Sequence, residues 1–157
     1  MFSGVRRSYV LLILYVMEVI ERVGTEPALE ILQYSAEKQG EIIAKEIRDE
    51  IEEGLSPLEL GEKVYIKFMS ETGAEIEVHK RDEVSVTFIV NRCPFYEALL
   101  DVGVDCGLFL EGLCGNLTLP SIECTLKQFD PRLTIDRIIS KESAEDICVE
   151  RVHLKEG

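Results

Sequence analysis

The sequence contains no tryptophan, two histidines, and five asparagine and glutamine residues in all. Basic residues are also scarce, at seventeen against thirty acidic ones, for a net charge of −13. A polyanion would be repelled by that surface, and the adjacent basic pairs Arg6-Arg7 and Lys80-Arg81 make no stripe to offset it, so nucleic acid is excluded as a partner. No long apolar run is present. The N-terminal run from Tyr9 to Met17 stops at Glu18 after nine residues, whereas a membrane span needs about 20. Arg6-Arg7 followed by that run imitates a signal peptide but lacks a small-residue cleavage site. A Cys-x-x-Cys knuckle, a Ser-His-Asp order, a phosphate-cradling glycine loop and a dinucleotide fingerprint are all missing. The shortage of amides beside abundant glutamate is a composition seen in some thermophiles.

What is present fits one domain: 157 residues, 46% hydrophobic and 30% charged, a balance that excludes disordered, collagen-like and low-complexity chains. Five cysteines, all between Cys93 and Cys148, are an odd number for a disulfide-stapled secreted scaffold. Free thiols or thiolate ligands in a reducing cytoplasm suit them better. The chain divides into an N-terminal helix within residues 1–24, which docks or dimerises through its apolar face, and one α+β domain over 25–157. Met17 is an alternative natural start to Met1.

The patterning predicts a helix from Tyr9 to Val23, ended by Gly24, with Thr25 as N-cap of a second helix. Leu29, Leu32, Ala36, Ile43, Ile47 and Ile51 form its buried stripe, Gly54 closes it, and Gly40 interrupts it where another backbone comes close. Ser56-Pro57-Leu58-Glu59 is a capping box that opens a third helix, running to Glu71, although Val64 to Phe68 also alternates like a strand. Runs over 75–80 and 83–91 read as a hairpin, with Val84, Val86, Phe88 and Val90 on one face. Cys93-Pro94 starts a short helix to about Leu100, and glycines with Pro120 bend the next helical stretch between Cys114 and Pro120. Strands over 133–140 and 144–154 complete the order ααα-ββ-αα-ββ: an α+β fold with a four-stranded antiparallel sheet of two hairpins, covered by helices.

Two kinds of residue carry candidate chemistry. Cys93, Cys114 and Cys148 would form a long-range zinc site if the fold gathers them, with Cys124 or Cys106 as fourth donor; otherwise they are small core hydrophobes. At a helix start, Cys93 faces free N–H groups that lower a thiol pKa, which suits a ligand or a nucleophile. A nucleophile also needs a base, and His79 and His153 both read as exposed strand residues. Asp101, Asp105 and Glu111 are further acid–base candidates that helix caps and solvated faces explain equally well. Phe68, Phe88, Phe95, Tyr96 and Phe109 fall where helices cover the sheet and either line a ligand pocket or pack as core.

The segments Asn91-Arg92-Cys93-Pro94-Phe95, Cys114 and Ser143-Ala144-Glu145-Asp146-Ile147-Cys148, in this order of elements, resemble the 4-vinyl-reductase-type or hydrocarbon-binding domain. That domain shares its fold with subunits of the TRAPP vesicle-tethering complex. The same motifs are similar to those of 2-aminothiazoline-4-carboxylate hydrolase-like proteins. The resemblance covers roughly residues 25–155. It implies a homodimer with an apolar pocket between helices and sheet and, in some members, zinc on three cysteines and a glutamate. Cys114 and Cys148 match two of those ligands, but Ser140 and Arg137 stand where the third cysteine and the glutamate would be. The expected function is a binding or sensing module for a small apolar or aromatic ligand; the alternatives are a hydrolase using Cys93 or a metal-activated water, and a structural assembly subunit.

Overall fold

The computed structural model describes residues 3–103, 107–139 and 147–155, with residues 107–111 by their backbone alone. Helix α1 (Ser3–Val23) passes into α2 (Thr25–Ile47) through Gly24, whose φ of 94° is a left-handed value that glycine reaches without strain. Because this one residue makes the turn, Gly24 holds the cap position and Thr25 is already helical, contrary to the expected Thr25 cap. Nor does α2 reach Gly54. It tightens into a 3₁₀ turn at Arg48–Glu50, where Arg48 donates to the Gln128 carbonyl (3.0 Å) and lies over the Phe129 ring.

The capping box forms as the sequence predicts: the Ser56 side chain accepts from the Glu59 N–H, and the Glu59 carboxylate accepts from the Ser56 N–H. It opens α3 (Pro57–Glu71), and Val64, Tyr65, Phe68 and Met69 are buried together at helical spacing, so this stretch is not a strand. Strands β1 (Glu75–Arg81) and β2 (Ser85–Arg92) form the first hairpin. Val84 falls just before β2 and is exposed, since its N–H and that of Ser85 are taken by the Asp82 carboxylate in the turn. Three helices follow rather than two: α4 (Pro94–Val102), α5 (Gly107–Asn116) and α6 (Thr118–Phe129), with the bend between the last two at Leu117. Strands β3 (Leu133–Ile139) and β4 (Cys148–Leu154) form the second hairpin. The earlier part of the expected last strand, 144–146, and Asp105, Cys106 and Ser140 lie outside the described residues, as do the side chains of Phe109 and Glu111.

The four antiparallel strands lie in the order β1-β2-β4-β3, so the hairpins join through β2 and β4. This is an α+β fold with helices over the sheet. Its interior has two parts. One gathers Val64, Tyr65 and Phe68 of α3 with Val86, Phe88 and Val90 of β2 and Val152 of β4. The other gathers Ile13 and Val16 of α1, Leu32 and Ala36 of α2, Phe95 and Leu99 of α4, and Leu113. Arg6 fastens α1 to α4 by donating to Glu97 (2.9 Å) and Asp101 (2.5 and 2.6 Å), and Tyr9 meets Phe95 edge-on at 5.3 Å. Gly40 explains itself in the packing. A Cβ there would stand 2.6 Å from the Ser121 carbonyl oxygen and 2.7 Å from Cys124 Cβ, so α2 and α6 touch backbone to backbone.

Candidate functional site

Cys93, just before α4, Cys114 near the end of α5, and Cys148 at the start of β4 line one cavity. Its walls also include Met69, Val90, Phe95, Tyr96, Thr118, Arg137 and Glu150. The register explains part of this grouping. Val90 pairs with Cys148 across β2 and β4, while Arg137 pairs with Glu150 across β3 and β4. Cys148, Glu150 and Val152 alternate onto the covered face of β4, so a carboxylate enters the interior in a position otherwise apolar. The space is small, about 20 Å³, room for roughly one water molecule.

A polar chain crosses this interior. The Tyr65 hydroxyl donates to one Glu150 oxygen at 2.6 Å. Nη2 of Arg137 donates to the other at 3.0 Å and to the Cys114 sulfur at 2.7 Å. The Arg137 and Glu150 side chains are 10% and 2% exposed, so the ion pair is buried. Buried charges persist only when paired and hydrogen-bonded. Burial alone would lower the Arg137 guanidinium, but Cys114, Glu150 and Cys148 together hold it above its ordinary value. Burial, reinforced by Glu150, likewise holds the Tyr65 hydroxyl well above its own.

The thiols correct one expectation. Cys93 does stand before the first turn of α4, yet burial pushes its thiol up to about 12, with Cys114 adding to the rise. The Tyr96 N–H acts in the opposite direction and is outweighed: a helix terminus stabilises a thiolate only where the thiolate is not also stripped of water. Cys114 is raised by burial too, against the lowering effect of Arg137. From α1, the Tyr9 hydroxyl is pushed up to about 12 by burial and by the nearby Cys93 and Cys114, which places this helix over the same sulfurs. These groups are therefore neutral thiols and a neutral phenol at pH 7.

Not every expected residue joins them. Cys124 faces Gly40 of α2 and lines an open groove of about 450 Å³ with Gln33, Glu37, Glu41 and Lys127, none of which lines the sulfur cavity. It is not a partner of the other three, because the α2–α6 contact turns it to the opposite side of α6. Phe95 and Tyr96 line the cavity; Phe68 and Phe88 are core, Phe88 stacked on Tyr65 at 4.1 Å. Asp101 is held by Arg6 at the surface. His79 is exposed on β1, and His153 is paired with Asp136 at 2.5 Å, so neither is a base for Cys93. Three thiols and a carboxylate are donors that zinc accepts. Among the described residues, however, no three such side chains stand close enough together to hold an ion, and the Arg137 guanidinium occupies the side of Cys114 facing Glu150.

Arg137, Glu150, Tyr65 and Tyr9 were not singled out as functional residues from sequence. The readable signal for Glu150 is an acid in the inward phase of a strand, between Cys148 and Val152. Among the described residues no helix is long and apolar enough to cross a membrane. Comparison of the chain with family models, curated proteins and solved structures gave no match.

Proposed function

We propose that the protein is a binding module that takes a small, largely apolar ligand into the hollow between α4, the α5–α6 bend and strands β2, β3 and β4. The observation that carries this reading is the convergence of Cys93, Cys114 and Cys148 with Phe95, Tyr96 and a buried ion pair around one space. An interior selected for stability alone gains more from apolar side chains than from a desolvated Arg–Glu pair. A hollow with an apolar wall and a few converging polar groups is what ligand sites require. An aromatic ligand exceeds the present space, so it enters by displacing the α4 side chains Phe95 and Tyr96. The hydrolase alternative is less well supported: the Cys93 thiol ionises at about 12, and no histidine lines the cavity. Assembly with a second copy is supported by exposed Leu11 and Tyr15 on α1 and exposed Ile31 and Tyr34 on α2. A reducing cytoplasm is the compartment that suits the free thiols.

The test is thermal unfolding with saturating toluene or indole. Either should raise the melting temperature of the wild type, and Cys148→Met, which fills the hollow, should abolish the rise. No shift with any apolar compound refutes the reading. A second reading, zinc on Cys93, Cys114 and Cys148, has in its favour that these thiols line one hollow, and it requires them to close up from their present spacing. Metal analysis with thiol counting on the native protein separates the two readings: one zinc per chain, lost in Cys114→Ser, establishes the metal.

A further inference from the structure

Arg137 is nine-tenths buried, and its charge is already matched. Nη2 donates to Glu150 and to Cys114, and the carboxylate's other oxygen takes the Tyr65 hydroxyl. Its Nε–H, however, is buried and has no hydrogen-bond partner among the described residues. Arg137 is one of the residues that line the sulfur cavity, so the unmet donor sits on a side chain of its wall. A buried N–H without an acceptor is costly, and native structures rarely leave one unanswered.

Charge and hydrogen-bonding capacity together narrow what can answer it. Arg137 and Glu150 sum to zero, and burial raises the Cys93 and Cys114 thiols, which favours their neutral forms. A carboxylate would bring a second negative charge beside Glu150 and leave the interior with a net charge, which a low-dielectric site resists. An ammonium would face Arg137 and suffer the same penalty with the opposite sign. A pure hydrocarbon would leave Nε–H as it is. What remains is an uncharged molecule with a strong acceptor. The Cys93 S–H on the same wall is a weak donor, which again favours an acceptor over a second donor. We infer that the ligand of this hollow is an uncharged carbonyl compound with an apolar or aromatic body, its C=O oxygen accepting from Nε of Arg137. This inference rests on the hollow being a ligand site.

Three compounds of nearly the same shape test it: acetophenone, with C=O; α-methylstyrene, with C=CH₂ in its place; and benzoate, with a carboxylate. Dissociation constants for the native protein at pH 7 should show acetophenone at least fivefold tighter than either of the others, the margin of one net hydrogen bond. Arg137→Lys keeps a positive charge toward Glu150 but has no Nε–H in that position, and should erase the preference, read as the ratio of the acetophenone and α-methylstyrene dissociation constants on that same variant. If that variant does not fold, the Arg137 Nε–H resonance of the wild type serves instead, moving with acetophenone and not with α-methylstyrene. Equal or tighter binding of α-methylstyrene overturns the carbonyl assignment while keeping the hollow as a ligand site, a result expected if a water molecule satisfies Nε. Tightest binding by benzoate overturns the charge reasoning. Binding of none of the three removes the ligand site, and the carbonyl assignment with it.

Discussion

Neutralising one member of the Arg137–Glu150 pair should be far more damaging than neutralising both. In Glu150→Gln the amide still accepts from Tyr65, but Arg137 keeps its charge at 10% exposure, with the Cys114 sulfur as its remaining hydrogen-bond acceptor among the described residues. Stranding a buried charge in this way costs about 3–5 kcal/mol. For a domain of this size each kcal/mol corresponds to about 2–4 °C in Tm, so the variant should melt roughly 6–20 °C lower. Arg137→Met strands Glu150 instead, yet the Tyr65 hydroxyl at 2.6 Å still stabilises its carboxylate, so the loss falls near the lower end, about 3 kcal/mol. The double variant Arg137→Met/Glu150→Gln removes both charges and keeps the Tyr65 bond. It should lie within about 1–2 kcal/mol of wild type, because an apolar replacement of a buried pair is often close to neutral. The coupling energy is then about 4 kcal/mol or more, above the usual range for contacting residues because each single variant strands a buried charge. Urea unfolding of the four proteins measures it directly. If the two single effects add to within about 0.5 kcal/mol, the side chains are not a desolvated pair and the polar interior described above is wrong.

Other expected outcomes concern the backbone and the thiols. Gly40→Ala should lower stability by about 1–3 kcal/mol as the new methyl forces α2 and α6 apart, whereas Gly112→Ala in α5, with nothing among the described residues within 4 Å of the added Cβ, should raise it by about 0.5–1 kcal/mol; a gain at Gly40 would contradict the backbone contact. The Cys93 thiol ionises at about 12 in the fold against 9.0 ordinarily, so the stability it contributes is whole below pH 9 and is lost as the pH rises toward 12. The slope is up to about 1.4 kcal/mol per pH unit, and Cys93→Ala should flatten that decline in alkaline unfolding curves. Iodoacetamide at pH 8 should label the half-buried Cys124 well before the buried Cys114, as peptide mapping would report; fast labelling of Cys114 would refute its burial.

Much of the architecture is legible in the residues, because local rules and global packing agree there. The capping box at Ser56, the bend before Pro120 and the alternation of Val86, Phe88 and Val90 each specify one local geometry, and the structure follows them. Gly40 is costly in a helix and so advertises a close neighbour, which proves to be α6. The gathering of Cys93, Cys114 and Cys148 could be anticipated only as a conditional, since it depends on β4 inserting between β2 and β3. Cys124 misled because a cysteine's type is visible in sequence but the side of its helix that faces the core is not. The pairing of Glu150 with Arg137 is hidden in the sequence for the same reason that it matters. Charged residues are read as solvent-facing, and only strand register brings opposite charges together across a sheet interior.

Cys93 packs against both parts of the interior, the one built by α3 and the sheet and the one built by α1, α2 and α4. Cys148 belongs to the former and Cys114 to the latter. The sulfurs thus straddle a seam, like rivets through two overlapping plates. Any slippage of the plates, whatever sets it off, changes the spacing of the rivets before it disturbs the outline of the protein.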